Sequence, residues 1–331
     1  MVRWAEATEA PEEEQAEGKS RSKRVTALLV LAALIFVAYG VVRVLSLESN
    51  AFLIGAMALT PYVAAGALLL ALITVIAGRK LLALVVLIVA LSLGALLGPR
   101  YLSEEQPDAQ GPHLRIMAAN LHVGLGDART IVDLVRREQV DILTLPELTP
   151  YAVSALDDAG LRDLLPYRVF DERQGGGGSG IAAKVPLRKI ILTEDTNLAQ
   201  PSAVVDLPGR QDIELTAIHV QPPLSAQDVG DWQHELKTLP QPTDRRISIL
   251  AGDFNATLDH FAFRNLVDRG YADAAEESGD GLIPTWSSWP TGPPLTLDHI
   301  VVDAGCAISS YSVHDVPGSD HDAIIAEVVL P

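Results

Sequence analysis

Residues 25–97 contain only four charged side chains, Arg43, Glu48, Arg79 and Lys80, and this constrains the fold more than any other feature of the chain. Three apolar runs fill the stretch, at 25–42, 51–77 and 81–97. Each approaches the roughly 20 residues with which a helix crosses a bilayer. A helix on a globular surface alternates an apolar stripe with a polar face. These runs have no polar face, so they predict three transmembrane helices rather than a buried hairpin. The first run follows the basic cluster "KSRSKR" (19–24) and could be read as a secretory signal. Its length and the two further runs favour a span.

Basic residues set the expected orientation. Lys19, Arg21, Lys23 and Arg24 precede the first run, and Arg79 and Lys80 separate the second from the third, so both clusters belong in the cytoplasm. The loop "SLESN" (46–50) has no basic residue and goes outside, with Arg43 a mild dissent. Three spans then place residues 100–331 outside the cell. The N-terminal tail (1–24) is expected to be cytoplasmic and disordered, since its first 17 residues carry six glutamates.

After Pro99 the composition becomes that of a soluble domain. A segment rich in Pro, Glu and Gln, "PRYLSEEQPDAQGP" (99–112), reads as a linker, leaving a domain at 113–331. That length suffices for a core without disulfides, and the single cysteine, Cys306, excludes an intrachain one. Cys306 reads as packing. From residue 99 onward there are 17 Lys and Arg against 35 Asp and Glu, a formal balance of −18. A nucleic-acid binder presents a basic face to the phosphates; the pairs Arg136–Arg137, Arg188–Lys189 and Arg245–Arg246 read as solvated surface instead.

Within this domain, strand-like runs outnumber helical ones. Strands are expected at 114–123, 141–148, 167–172 and 180–185, then in "RKIILTE", "SAVVDL", "QDIELTAIHV", "RISILAGDFNA", "TLDHIVVD", "AISSYSVH" and "HDAIIAEVVL". Helices are expected at 127–140, 149–160, 228–239 and 261–270. Single helices between strands suggest an α+β or four-layer sandwich.

In "ILAGDFNATLD" (249–259) an apolar strand ends in Asp253 and Asn255, which two-residue periodicity aims the same way. A turn is the plain alternative, because Gly, Asp and Asn form turns. The pattern recurs, however. Asn120, Glu147, His219, Asp253, Asn255, Asp298, Asp320 and His321 each close or open an apolar strand, and strand ends are where sites are commonly built. Such a set offers oxygen ligands for a hard cation and acid–base groups for phosphoester hydrolysis. His122 and His299 flank these residues and read as structural; His113, His234, His260 and His314 read as surface residues.

In order, "MAANLHV", "LPELT", "AIHVQPP", "GDFNA", "LDHIVV" and "GSDHDAI" resemble the endonuclease/exonuclease/phosphatase superfamily across about residues 113–331. The resemblance implies a DNase I-like four-layer α/β sandwich and a divalent metal, Mg²⁺ or else Mn²⁺. It makes Glu147 the principal metal ligand, with Asn120 beside it and Asp320 at or near the ion. It makes His321 the general base or the holder of the scissile phosphate, oriented by Asp298. Asp253 and Asn255 would position the attacking water and a phosphate oxygen, and His219 would contact the phosphate. Pro146 stands where many relatives carry Gln, and the usual Ser-Arg after the glycine turn "QGGGGSG" (174–180) is absent. Trp286 and Trp289 belong either to the core or to the substrate mouth.

Superfamily members cleave nucleic acids, phosphoinositides, sphingomyelin and small phosphate esters. The acidic domain and the apolar spans favour a lipid phosphate or pyrophosphate. Three spans followed by this domain resemble VanJ-type membrane proteins associated with teicoplanin-class glycopeptide resistance, which implies undecaprenyl pyrophosphate as substrate. A secreted-side nuclease and a phosphodiesterase of sphingomyelinase or phosphoinositide-phosphatase type are the alternatives.

Overall fold

The computed structural model describes residues 10–207, 212–243, 246–288 and 290–331, in two units. Residues 1–9, Arg245 and Trp289 lie outside the described residues.

The first unit comprises described residues up to Leu47 and Leu59–Leu97. It holds helices α1 (Ala10–Val44), α3 (Thr60–Ile76) and α4 (Lys80–Leu97). Helix α1 starts at Ala10, so part of the tail read as disordered is helical; Ala, Glu and Gln are good helix formers and continue the apolar helix. Ala33, Ala67, Ala71, Val86 and Ala90 form its small-residue core. Leu28, Ile35, Ile76, Leu81 and Leu91 stay exposed. Ser22–Val44 and Lys80–Tyr101 are each long and apolar enough to cross a membrane. The second run differs from the single helix expected over 51–77. It breaks at Leu59 into α2 (Ala51–Ala58) and α3, with Pro61 in the first turn of α3. Proline disfavours helical geometry in the residue before it and suits a helix start. A third crossing would therefore use a broken pair.

The second unit comprises Glu48–Ala58 and Gly98–Pro331. Two six-stranded sheets form it. The first, in spatial order, contains β11 (Ala307–His314), β12 (Ala323–Val329), β1 (His113–Ala118), β2 (Ile142–Pro146), β4 (Ser179–Ala183) and β3 (Tyr167–Asp171). The second contains β5 (Leu187–Ile190), β6 (Ser202–Val205), β7 (Ile213–His219), β8 (Ile247–Asp253), β10 (Asp298–Asp303) and β9 (Tyr271–Asp273). Every strand expected from the sequence is present, and β9 is an addition.

Ile116, Ile142, Ile181, Leu215, Ile249, Ile300 and Ile324 fill the main core, Cys306 among them. The Cys306 thiol is pushed up to about 12 by burial, which leaves it inert packing. Helices α5 (Ala128–Arg137), α6 (Pro150–Asp158) and α7 (Leu161–Leu164) supply Val135, Leu156 and Leu161 to a second core with Met117 and Leu143. Helices α8 (Ala226–Thr238) and α9 (Phe261–Val267) supply Trp232 and Phe263 to a third, joined by Ile54 of α2. A short helix, α10 (Ala274–Glu277), follows β9. Central strands such as β8 are buried along their whole length, which explains their near-continuous apolar sequence.

The segment 99–112 is not loose. Glu104 N–H donates to the Glu277 carbonyl (3.0 Å), and the Gln106 amide bonds both Glu277 (3.0 Å) and Ile308 N–H (2.6 Å). Gly111 N–H donates to the Leu330 carbonyl (2.8 Å).

Candidate active site

Strand register assembles the site. In the second sheet His219 lies beside Asp253 on parallel neighbours, and Asp253 opposes Asp298 on antiparallel ones. Three polar side chains thus end one row. In the first sheet β1 runs parallel to β2 and antiparallel to β12. The residues after β1 and β2 and those before β12 therefore meet at one edge, bringing Asn120, Glu147, Asp320 and His321 together.

Hydrogen bonds link the two sheets. Asn120 Nδ2 donates to Asp253 Oδ2 (3.0 Å) and to Glu147 Oε1 (3.2 Å), while its Oδ1 accepts from His122 N–H (3.0 Å). Asn120 bridges two carboxylates, with its oxygen committed to the backbone. Glu147 also accepts from Val123 N–H at 2.6 Å. Asn255 N–H donates to Asp253 Oδ1 (2.8 Å), and Asn255 Nδ2 to the Val220 carbonyl (2.9 Å). His321 Nδ1 donates to Asp298 Oδ2 (2.8 Å), and its Nε2 lies 3.8 Å from Asp253 Oδ2. Thr285 Oγ1 donates to the same Asp298 oxygen (2.7 Å). The described hydrogen bonds and ion pairs of these side chains involve no lysine or arginine.

Burial sets the protonation states. Burial alone would lower the His321 pKa, but Asp298 and Asp253 outweigh it and lift it to about 10. Burial pushes Asp253 up to about 7 against the opposing pull of His321. Burial, aided by the nearby His321 charge, lowers His219 to about 3, so its ring is neutral. His219 Nδ1 is buried and has no hydrogen-bond partner among the described residues.

Asp253, Asp298 and His321 offer three ligand atoms within 4.8 Å of one another. The direct Asp298–His321 bond fits an oriented imidazole better than a cation between them. Glu147 and Asp320, outside this group of three, carry oxygen donors of the kind a hard divalent cation takes. Gly176 lies against Glu147: a Cβ there would stand 3.1 Å from its Oε2. That close approach gives the four-glycine turn a purpose.

Several contributors have roles that the sequence left open or did not show. His122, read as structural, pairs its Nδ1 with Asp320 Oδ1 at 2.6 Å. A left-handed backbone (φ 44°) turns it away from the simple strand alternation assumed for it. Trp286 Nε1 donates to Asp320 Oδ2 (3.0 Å), because residues 285–287 run beside 320–322. Val123, Glu147 and Asn255 also adopt positive φ (51°, 59° and 46°). Strain of this kind gathers at functional sites. His299 is structural, as its position suggested. His260 is a correction: it is 2% exposed rather than a surface residue, because α2 covers it.

Gly252 precedes Asp253 with φ 145°, and a Cβ there would lie 2.2 Å from the Ile218 carbonyl oxygen. Gly252→Ala must spread β7 from β8. We expect a stability loss of about 2 kcal/mol and a drop in turnover larger than stability explains, checked by thermal unfolding beside a rate assay.

A two-sheet sandwich carrying such a site belongs to the class of metal-dependent phosphoester hydrolases. The chain is a member of the endonuclease/exonuclease/phosphatase family, whose model matches residues 117–321. Comparison with curated proteins finds no match. Among solved structures, an endonuclease/exonuclease/phosphatase from Beutenbergia cavernae is similar at 19% identity and TM-score 0.54, over 66% of this chain and 72% of that one. An AP endonuclease from Archaeoglobus fulgidus is similar at 15% identity and TM-score 0.53, over 64% and 98%. A humanized TDP2 from D. rerio gives 20% identity and TM-score 0.52, over 65% and 98%. At these identities the likeness is one of fold.

Proposed function

We propose that the protein is a membrane-anchored, Mg²⁺-dependent phosphoesterase whose site lies outside the cell and dephosphorylates a lipid phosphate or pyrophosphate such as undecaprenyl pyrophosphate. The linked set Glu147–Asn120–Asp253–His321–Asp298 carries the catalytic reading. Glu147 and Asp320 would hold the cation, with Asn120 fixing Glu147 from beside it. The bound cation would polarise the phosphoryl oxygens and offset their charge. His321, held as an imidazolium by Asp298, would bind a phosphate oxygen. Asp253 would orient the attacking water and take its proton near neutral pH. Asn255 would hold Asp253 through its backbone N–H, and neutral His219 would contact the phosphate.

Two observations favour a lipid over a nucleic acid. The acidic balance of the domain opposes a polyanion. The loops bearing or adjoining the site also expose apolar side chains: Val123 and Leu125 after Asn120, Leu224 after His219, and Ile283 before Trp286. Exposed apolar side chains of this kind suit an acyl or prenyl chain. The nuclease reading draws support from the AP endonuclease and TDP2 likenesses.

The test is phosphate release from undecaprenyl pyrophosphate by the full-length protein, beside plasmid nicking. We expect release from the lipid, loss in EDTA, and recovery with Mg²⁺. Nicked plasmid with untouched lipid would overturn the substrate.

A further inference from the structure

The segments that flank the apolar helices converge on one short stretch of the domain. Residues 259, 260 and 261 follow Asn255 at a distance of four to six residues, and each is gripped from outside the family-matched region. Asp259 takes a two-pronged bond from Arg100, whose nitrogens lie 3.0 and 3.1 Å from its carboxylate oxygens. Both partners are buried, at 4% and 2% exposure. The same guanidinium donates to the Leu258 carbonyl (2.9 Å). His260 Nδ1 accepts from Thr257 N–H (2.8 Å), so Nε2 carries the proton and donates to the Ile54 carbonyl of α2 (2.9 Å). The Glu48 carboxylate accepts from Phe261 N–H and from Ala262 N–H (3.3 Å). It thereby caps α9, which has no side-chain cap of its own. Gln233 Nε2 donates to the Glu48 carbonyl (2.7 Å) and holds the cap in place.

From this grip to the site the chain has no slack. The Ala256 carbonyl is bonded by His299 (2.9 Å), and the Asn255 carbonyl by Trp232 Nε1 (3.1 Å). Asn255 in turn holds Asp253 through its backbone N–H, in a left-handed conformation (φ 46°). A strained residue keeps such a conformation only where its surroundings over-determine it.

We propose that Arg100, Glu48 and Ile54 are positioning residues for phosphoester hydrolysis: by clamping Asp259–Phe261 they hold Asp253 and Asn255 in register with the opposite sheet. The segments beside the apolar helices then complete the active-site loop as well as tether it. This rests on the reading of Asp253 and Asn255 as site residues.

The test uses full-length protein, bis(4-nitrophenyl) phosphate and Mg²⁺ or Mn²⁺, well below each variant's unfolding temperature. Arg100→Gln and Glu48→Gln are compared with Gln106→Ala, which cuts the same strap away from the clamped loop, and with His321→Ala. We expect Arg100→Gln to lower kcat at least tenfold with KM within twofold, Glu48→Gln to act in the same direction, and Arg100→Lys to restore part of the loss. Gln106→Ala should lower the unfolding temperature and leave kcat unchanged. Wild-type kcat in Arg100→Gln, or equal kcat losses in Arg100→Gln and Gln106→Ala, would overturn the clamp. Full activity in His321→Ala would instead sink the underlying site.

Discussion

His321→Ala is expected to slow phosphoester hydrolysis by about 10² to 10³, the range typical for losing one preorganised donor aimed at developing charge. The size follows from the surroundings of the ring. His321 is 6% exposed, bonded at Nδ1 to Asp298, with Nε2 facing Asp253. Removing it takes the one strongly raised imidazole from the centre of the network and leaves Asp253 and Asp298 as buried carboxylates without it. The loss should fall on kcat more than on KM, because the imidazolium's charge matters most as phosphate charge develops. Asp298→Asn should cost less, since the ring stays hydrogen-bonded in place. Steady-state kinetics with both variants checks this. Turnover in His321→Ala within twofold of wild type would remove His321 from the mechanism.

The second large effect concerns stability. His299 and Asp273 form an ion pair with no exposed side-chain surface, at 2.8 Å. The other ring nitrogen lies 2.9 Å from the Ala256 carbonyl, so both nitrogens donate and the ring is an imidazolium. Burial alone would lower its pKa; Asp273 and the Ala256 carbonyl outweigh burial and raise it. Phe254 and Phe263 pack against the ring. His299→Leu strands the Asp273 carboxylate in the core and should cost about 3–5 kcal/mol. In a domain of this size that lowers the unfolding temperature by roughly 10 °C. Because the folded pKa is raised, this contribution is complete below the ring's ordinary pKa and fades as pH rises through the folded value. Wild-type stability should therefore decline as pH rises above the ring's ordinary pKa, by a component absent from the variant. Unfolding curves across that range decide it, and a variant as stable as wild type would show that the core repacks around Asp273.

Local signals were strong enough to read the elements and to single out most of the polar residues that the fold brings together. Strands such as β8 and β12 are apolar runs ended by polar residues, and α5 has its apolar positions on one face with Asp127 as N-cap. The residues Asn120, Glu147, His219, Asp253, Asn255, Asp298, Asp320 and His321 stood out because each interrupts such a run at its end. Thr285 and His122 did not stand out, and Trp286 stayed open between core and substrate mouth, since their roles come from chain crossings. Thr285 reaches Asp298 only because residues 285–286 run beside Leu295, which brings Leu297 and Asp298 onto its hydroxyl. His122 reaches Asp320 only through a left-handed backbone.

The same division holds at the boundary between the apolar helices and the domain. By itself the sequence determined that the chain has an apolar N-terminal part and an acidic α+β domain, because hydropathy and periodicity are properties of neighbouring residues. Only the tertiary structure decided that Glu48–Ala58 and Arg100 belong to the domain. To hydropathy, Ala51–Ala58 looks like the start of a span, but Ile54 fills the core beneath α8 and α9 and its carbonyl holds His260. Arg100 reads as a linker charge until Asp259, 159 positions away in sequence, meets it in a buried pair. Contacts across such separations depend on how two sheets stack, and no local pattern encodes that.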